Sequence, residues 1–552
     1  MFIVQLYSGQ STTSGDFVYR IEQPGKGLSS VEGVQAANLD LLDLPDISVL
    51  TKVPVLILHH LSDPDLLPVV AERRRRGLLT IYELADNFRF SGEHLPQAKR
   101  RGPPEYHVVM EELLRRCHAV QTTGPALRDR YQNLNRNFLI FPNLVDAVHR
   151  GRREASISKK VTIGWGGSAR HFSDLAHYAD ALCAWILRNP ETRLAIMATE
   201  KIQRLFSNLP RSQVALYRPG KLTDYFSFLD ALDIGVAPLL PTEFNACRSD
   251  VKYLECALRQ VVPLCSRFGP YTEIGREGEN ILLFGEAAEL TEQLDRLHSN
   301  PQLGRRIALQ AKQWVERNRL NRRQVWEQRV KTYRKLFNQV HKGQRIESAR
   351  VGEFSNARAG TLLRRALNAS NPKTAYVLLK RAVAAFPSNY QVHYFFGWAS
   401  YGLGQTREAI AALERACQLC PTSIRSLQLL TRMLITLKDF NSALHMAERA
   451  LELEPELPTL LTLKAISLQL QNRHQEAKET LEPCLRKAPK LVEAEIAYAR
   501  SAIELHKFQD VRRSLNRLLR LAPESPVTAS LRLLVSKRES RTVDPLRHLN
   551  AY

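Results

Sequence analysis

Three short segments hold the residue types that could handle a phosphorylated ligand. Val161-Thr-Ile-Gly-Trp-Gly-Gly-Ser168 reads as a strand running into a glycine-rich loop, with His171 and Asp174 opening the helix that follows. Gly166, Gly167 and the small Ser168 would let the backbone approach a phosphate, and a helix N-terminus favours its negative charge. A tight turn is the plainer alternative. Phe244-Asn-Ala-Cys-Arg-Ser-Asp-Val-Lys-Tyr-Leu-Glu255 precedes an apolar helix, with Ser249 placed to cap it. Lys252 and Glu255 lie three residues apart on one helical face, with Arg248 just before. Cations beside a carboxylate suit a diphosphate and a ribose diol together; a solvated ion pair worth little is the other reading. Leu79-Thr-Ile-Tyr-Glu-Leu-Ala-Asp-Asn87 ends a strand with Glu83 and Asp86 at its carboxyl edge, facing either a cleft or a stabilising loop contact. His59 and His60 end another strand, where either could be plain core.

The elements that must position these residues follow from the hydrophobic pattern. In the first half, strands are expected at 2–7, 53–60, 78–84, 119–124 and 138–145; in the second, at 161–167, 194–198, 214–217, 234–239, 262–266 and 280–284. Near-continuous apolar strands with helical crossovers predict parallel sheets covered on both faces. Two such halves, joined by a polar, basic stretch at 146–158, make a cleft, and ligands of such sheets bind at the carboxyl ends of the strands.

Taken together, Gly164–Ser168 with His171 and Asp174, then Asp233–Leu239, Ser249–Glu255, Pro263, Ser266, Pro270 and Tyr271 resemble family 4 glycosyltransferases of the GT-B fold. Gly15-Asp-Phe-Val-Tyr-Arg20 and the Tyr82–Asn87 segment look like the acceptor-side motifs of that group. The resemblance covers about residues 1–340. It implies retaining transfer from a nucleotide-diphosphate sugar without a required metal or other cofactor. It implies that Gly166, Gly167 and Ser168 meet the diphosphate, that Arg248 and Lys252 neutralise it, and that Glu255 holds the ribose. Glu83, Asp86 and His60 are the candidate catalytic groups on the other wall. Two positions depart from the pattern: Cys247 stands where a Glu is common, and Arg259-Gln260 where the turn usually holds Gly. A non-catalytic, nucleotide-sugar-binding scaffold is the alternative function.

Prolines at 387, 421, 455, 489 and 523 recur every 34 residues, the tetratricopeptide period. With Tyr390 as position one, Gly397, Ala409, Leu413 and Ala416 take the contact positions at which paired helices approach closely. Ala443, Ala447, Ala450, Ala477 and Leu481 keep the frame in later units, and Ala375, Leu379 and Ala382 in an earlier one. Five repeats are expected over 356–525, with a concave face for a protein or peptide partner. The domains so read are an acceptor-side Rossmann-like domain at 1–150, a nucleotide-sugar domain at 151–300, closing helices at 301–345, the repeats, and a basic tail at 526–552. A chain cut near Gln344 is expected to expose little shared core.

The chain has 552 residues and a net charge of +22. Residues 301–345 hold 13 Lys/Arg against two Glu, so +11 lies in this block. Such a block predicts an anionic partner (lipid headgroups, a polyphosphate or nucleic acid) or else a solvated helical face. No nucleic-acid module is recognised, so nucleic acid is not an expected partner. Eight scattered cysteines, with one unsupported Cys417–Cys420 pair, fit buried thiols in a reducing compartment and no zinc site. Residues 1–7 read as a first strand rather than a signal peptide, and no apolar run reaches a membrane span. The expected location is cytoplasmic, peripheral at the inner face of the membrane.

Overall fold

The computed structural model describes residues 1–9, 14–90, 105–150, 161–341, 343 and 355–542. The alternating apolar strands and helices form two six-stranded parallel sheets. The first runs in the order β2-β1-β3-β4-β5-β6 and comprises Phe2–Tyr7, Gln35–Asp40, Val55–His59, Leu79–Leu84, Ala119–Thr122 and Phe138–Ile140 as β1 to β6. The second, ordered β12-β11-β10-β7-β8-β9, comprises Thr162–Gly166, Arg193–Met197, Val214–Tyr217, Ile234–Ala237, Val262–Ser266 and Leu282–Phe284 as β7 to β12. β2 has no counterpart among the expected strands. It is an edge strand whose sequence, Gln-Ala-Ala-Asn-Leu-Asp, buries only its last two residues, so it lacks the apolar run that marks the others. Residues 151–158 of the predicted linker lie outside the described residues.

Each sheet reverses strand order once, and these switch points are where crevices open at strand carboxyl ends. In the first sheet the switch lies between β1 and β3, in the second between β7 and β10. Helices α1 (Leu66–Arg75) and α2 (Glu105–Arg116) belong to the first half. The second half contributes α3 (Phe172–Arg188) and α4 (Val251–Leu258). Two basic helices close the pair. α5 (Pro301–Asn318) buries Ile307, Ala308, Ala311 and Val315 in the second half. α6 (Arg323–Val340) crosses back and packs Trp326, Val330 and Tyr333 against Ile3, Val55 and Ile81. That crossing requires Gly27, since a Cβ there would collide with the Trp326 indole.

Five helix pairs follow: α7 and α8 (Ala357–Leu367, Pro372–Ala385), α9 and α10 (Tyr390–Gly402, Thr406–Leu419), α11 and α12 (Ile424–Thr436, Phe440–Leu453), α13 and α14 (Pro458–Leu470, His474–Lys487), α15 and α16 (Val492–Glu504, Phe508–Leu521). The small residues act by contact, because a Cβ on Gly397 would come within 2.7 Å of Leu413. Gly404, Lys438, Asn472 and His506, one in each of four successive pairs, all turn with positive φ. The predicted basic tail begins as a helix, α17 (Pro526–Thr542), and its residues 543–552 lie outside the described residues.

The repeats do not stand apart from the α/β halves. One buried apolar cluster runs from Leu67, Val70, Met110 and Leu113 of the first half into Leu413, Cys417, Ile424 and Leu460 of the repeats. Leu42 completes a second cluster otherwise built from repeat residues such as Leu363 and Phe396. Polar groups complete the seam. Gln391 Nε2 donates to the Leu41 carbonyl at 2.7 Å, Arg364 pairs with Asp40 at 2.7 Å, and Arg116 pairs with Glu454 at 2.7 Å. The expectation that a cut near Gln344 exposes little shared core is therefore overturned. The first half leaves an apolar face that its own sheet and helices do not cover, and the repeats cover it.

Candidate functional site

The two switch points face one another across a cleft of about 1030 Å³. Its walls include Asp16, His60 and Asp86 from the first half and Gly166, Gly167, Ser168, Arg248, Lys252 and Glu255 from the second. Thus all six predicted donor-side residues come together. Of the three catalytic candidates, Asp86 and His60 reach the cleft. Glu83 does not line it.

β7 ends in the glycine loop. The Gly167 amide donates to the Met197 carbonyl at 3.1 Å, and Lys252 Nζ donates to the Gly166 carbonyl. These backbone groups are already engaged, so the glycines serve here by close approach. A Cβ on Gly166 would meet Tyr225 at 2.6 Å, and one on Gly167 would meet the Trp165 ring at 2.7 Å. The helix carrying Lys252 starts after Asp250, not Ser249. Neither side chain caps it: Asp250 pairs with Arg319, and Ser249 lines the cleft.

Lys252 and Glu255 sit on the first turns of α4. Burial pushes the Glu255 carboxyl up to about 7, against Lys252 and hydrogen bonds from Tyr19 and Tyr225. Burial likewise lowers Lys252. Tyr19 donates to Glu255 from across the cleft at 2.8 Å. Arg248 also crosses it, pairing with Asp86 at 2.8 Å, and its other terminal nitrogen lies 3.1 Å from His171 Nε2. Since Arg248 can only donate, His171 accepts at Nε2 and carries its proton on Nδ1, which faces Asp174 Oδ2 at 3.0 Å. Burial lowers His171 to about 4, in keeping with the neutral ring. Asp174 also accepts from the Leu240 amide and Asn245, so the chain of groups is anchored in the second half.

On the opposite wall, Glu83 is buried in a network. Arg20 donates to its carboxylate, with Nε at 2.8 Å, and Gln121 donates to its other oxygen. Burial works to raise Glu83, but Arg20, His59 and Arg329 hold it below the usual carboxylate range. Tyr333 of α6 donates to Gln121 at 2.6 Å, tying the closing helix to the network. Glu83 therefore makes a stabilising contact. His60 follows β3 with a φ of 52°, and burial lowers it to about 4. Asp16, whose side chain is 43% exposed, lies 3.3 Å from His59 Nε2. Asp16, His59 and His60 bring ligand atoms within 4.8 Å of one another. However, the Ala85 amide donates to His60 Nε2 at 3.3 Å, which leaves the proton on Nδ1, so a cation would have to displace that bond.

Cys247 is buried in the apolar cluster shared with the first half and lies outside the cleft lining. Gln260 takes the turn expected to favour Gly, with a φ of 57°. Tyr19 and Tyr225 were not singled out from the sequence. Tyr19 lies inside the quoted Gly15–Arg20 motif, whereas nothing in the Leu222–Leu229 helix marks Tyr225.

A family model for a tetratricopeptide repeat matches residues 361–424, and one for anaphase-promoting complex, cyclosome, subunit 3 matches 436–518. No curated protein sequence matches the chain. Among solved structures, HepE of Anabaena in complex with UDP and glucose is 13% identical, covering 61% of this chain and 100% of that one, with a TM-score of 0.46. Sucrose-phosphate synthase from Thermosynechococcus elongatus is 12% identical over 61% and 99% of the two chains, with a TM-score of 0.47. MamA from Desulfovibrio magneticus is 14% identical over 30% and 94%, with a TM-score of 0.28. Two parallel sheets facing a cleft, with a closing helix returned onto the first, are the GT-B architecture. A tetratricopeptide solenoid follows it.

Proposed function

We propose that this protein is a glycosyltransferase moving a sugar from a nucleotide-diphosphate donor to a glycan, lipid-linked or protein acceptor, with retention and without a required metal. The observation that carries this reading is that Lys252 and Glu255 of α4 line the cleft together, beside the Gly166-Gly167 loop at the switch point. Arg248 and Lys252 neutralise the diphosphate, whose charge grows as the sugar–oxygen bond breaks. The Ser168 turn and the start of α3 favour the same charge. Glu255, ionised, accepts from the ribose hydroxyls in place of Tyr19 and Tyr225. The acceptor hydroxyl attacks from the first half, where Asp86 takes its proton; His60 shares that wall, but its Nε2 already accepts from the Ala85 amide. Glu83 holds Arg20 in place and does not touch substrate.

The test is direct binding and hydrolysis across UDP-, GDP- and ADP-sugars, with and without EDTA. One donor class bound and turned over in EDTA supports the reading; no nucleotide binding at all overturns it.

A cytoplasmic protein at the inner face of a membrane remains the proposed setting. Among the described residues no helix is long and apolar enough to cross a membrane. The basic α5 and α6 would dock it, so vesicle binding should rise with anionic lipid and fall with salt. Equal sedimentation with neutral and anionic vesicles would remove this part. A protein or peptide partner is proposed for the repeat surface left open, where Trp398 is 50% exposed.

A further inference from the structure

Residues 60–65 join the cleft to the repeats. At one end His60 lines the cleft in a left-handed conformation, which a residue other than glycine keeps only where its surroundings impose it. The sheet supplies part of that constraint. The Tyr82 hydroxyl donates to the Leu61 carbonyl at 2.7 Å, and the Ala85 amide donates to the His60 ring.

At the other end the repeats supply the rest. Arg425 of α11 pairs with Asp63 at 2.8 Å and with Asp65 at 3.1 Å. Its backbone amide donates to Asp65 at 3.0 Å, and the Ser423 hydroxyl donates to the same carboxylate at 2.9 Å. The Asp65 side chain is only 1% exposed. The Arg425 guanidinium lies 4.7 Å over the Tyr394 ring, and Gln391 accepts from it at 2.9 Å. Two carboxylates two residues apart would otherwise repel in a dry seam. Burial and Asp63 both raise Asp65, and Arg425 opposes them. Without that cation only the hydrogen bonds from Ser423, Tyr390 and the residue 425 amide hold Asp65, the two acids repel, and the loop gains a strong reason to swing toward water.

We infer that Arg425 is a positioning residue for the acceptor wall: the repeats fix the loop on which His60 stands, from 360 residues further along the chain. Its meaning for turnover rests on the function proposed above, but its meaning for the loop does not. Hydrogen exchange on the full-length chain reads the loop directly. In Arg425→Ala, peptides spanning 59–66 should exchange at least about tenfold faster, while the second sheet keeps its protection. Arg425→Lys should restore part of the protection. Arg116→Ala, which breaks the more remote seam pair with Glu454, should leave 59–66 unchanged. If Arg425→Ala also opens the repeat helices, Asp65→Asn is read by the same peptides with the cation kept. Wild-type protection of 59–66 in both variants, or equal loosening by Arg116→Ala, overturns the inference. In the enzyme assay, Arg425→Ala should lower kcat about tenfold with donor Kd unchanged. A wild-type chain that turns over no nucleotide sugar would defeat the proposed function, while the exchange result still decides this one.

Discussion

The two α/β halves share a six-stranded parallel plan and differ in where their support comes from. The second half completes its site with local groups: the β7 loop, the start of α3 and α4 meet through contacts among themselves, and Asp174 ties them to Leu240 and Asn245. The first half borrows. Its carboxylate network is closed by Tyr333 of α6, and its outer face is covered by the repeats. A shared topology therefore does not imply equal independence. One half holds most of its site by local contacts, with Tyr19 and Asp86 reaching Glu255 and Arg248 across the cleft; the other depends on chain that follows it.

The largest expected effect comes from removing that chain. A protein ending near Gln344 should keep a folded second half but lose the first half to aggregation or protease, since each newly exposed Leu or Met forfeits about 1.5–3 kcal/mol of burial. Limited proteolysis with mass mapping checks this, and equal resistance of both halves would break the comparison. Next, Lys252→Ala and Glu255→Ala should each weaken nucleotide binding at least about tenfold, from loss of a charge-assisted contact worth about 1.5–3 kcal/mol. Calorimetric affinity measures the loss, and unchanged melting of the first half would show that the substitutions act within the second half.

A third effect is in pH. Burial pushes the Glu255 carboxyl up to about 7 in the free fold, above the ordinary 4.5. Its stabilising contribution is thus full below about 4.5 and is lost as pH rises through about 7. Donor binding needs the ionised form, so affinity should rise about tenfold between pH 6 and 8 while this residue's share of stability falls. Glu255→Gln should flatten both slopes. The smallest effect sharpens the cross-cleft link: Asp86→Asn releases Arg248, and nucleotide affinity should improve roughly two- to fivefold. A fall in turnover alongside that gain would mark Asp86 as the group that takes the acceptor proton.

What the sequence made legible follows the same division. Period-34 prolines and contact alanines announced the repeats, because helix pairing leaves its spacing in the chain. The donor-side groups were readable because they lie within two short segments, each organised by one strand or helix. The cross-cleft pairs were not. Tyr19 and Glu255 are 236 residues apart, and only the mutual placement of two sheets brings them together. β2 escaped because an edge strand need not be apolar. The docking of the repeats escaped because Gln391 and Arg425 look like ordinary polar residues at the start of a helix. Their partners are backbone carbonyls and carboxylates hundreds of residues earlier.

The seam also bears on how the protein is made. Asp65 leaves the ribosome 360 residues before the Arg425 that neutralises it, and Leu42 and Met110 emerge long before the repeat residues that share their clusters. At roughly 5–20 residues per second, that interval is roughly 20–70 s. For that time the first half carries an uncovered apolar face and a pair of unpaired acids. The nascent chain is then a substrate for chaperones, and the later arrival of α9 to α13 ends that need.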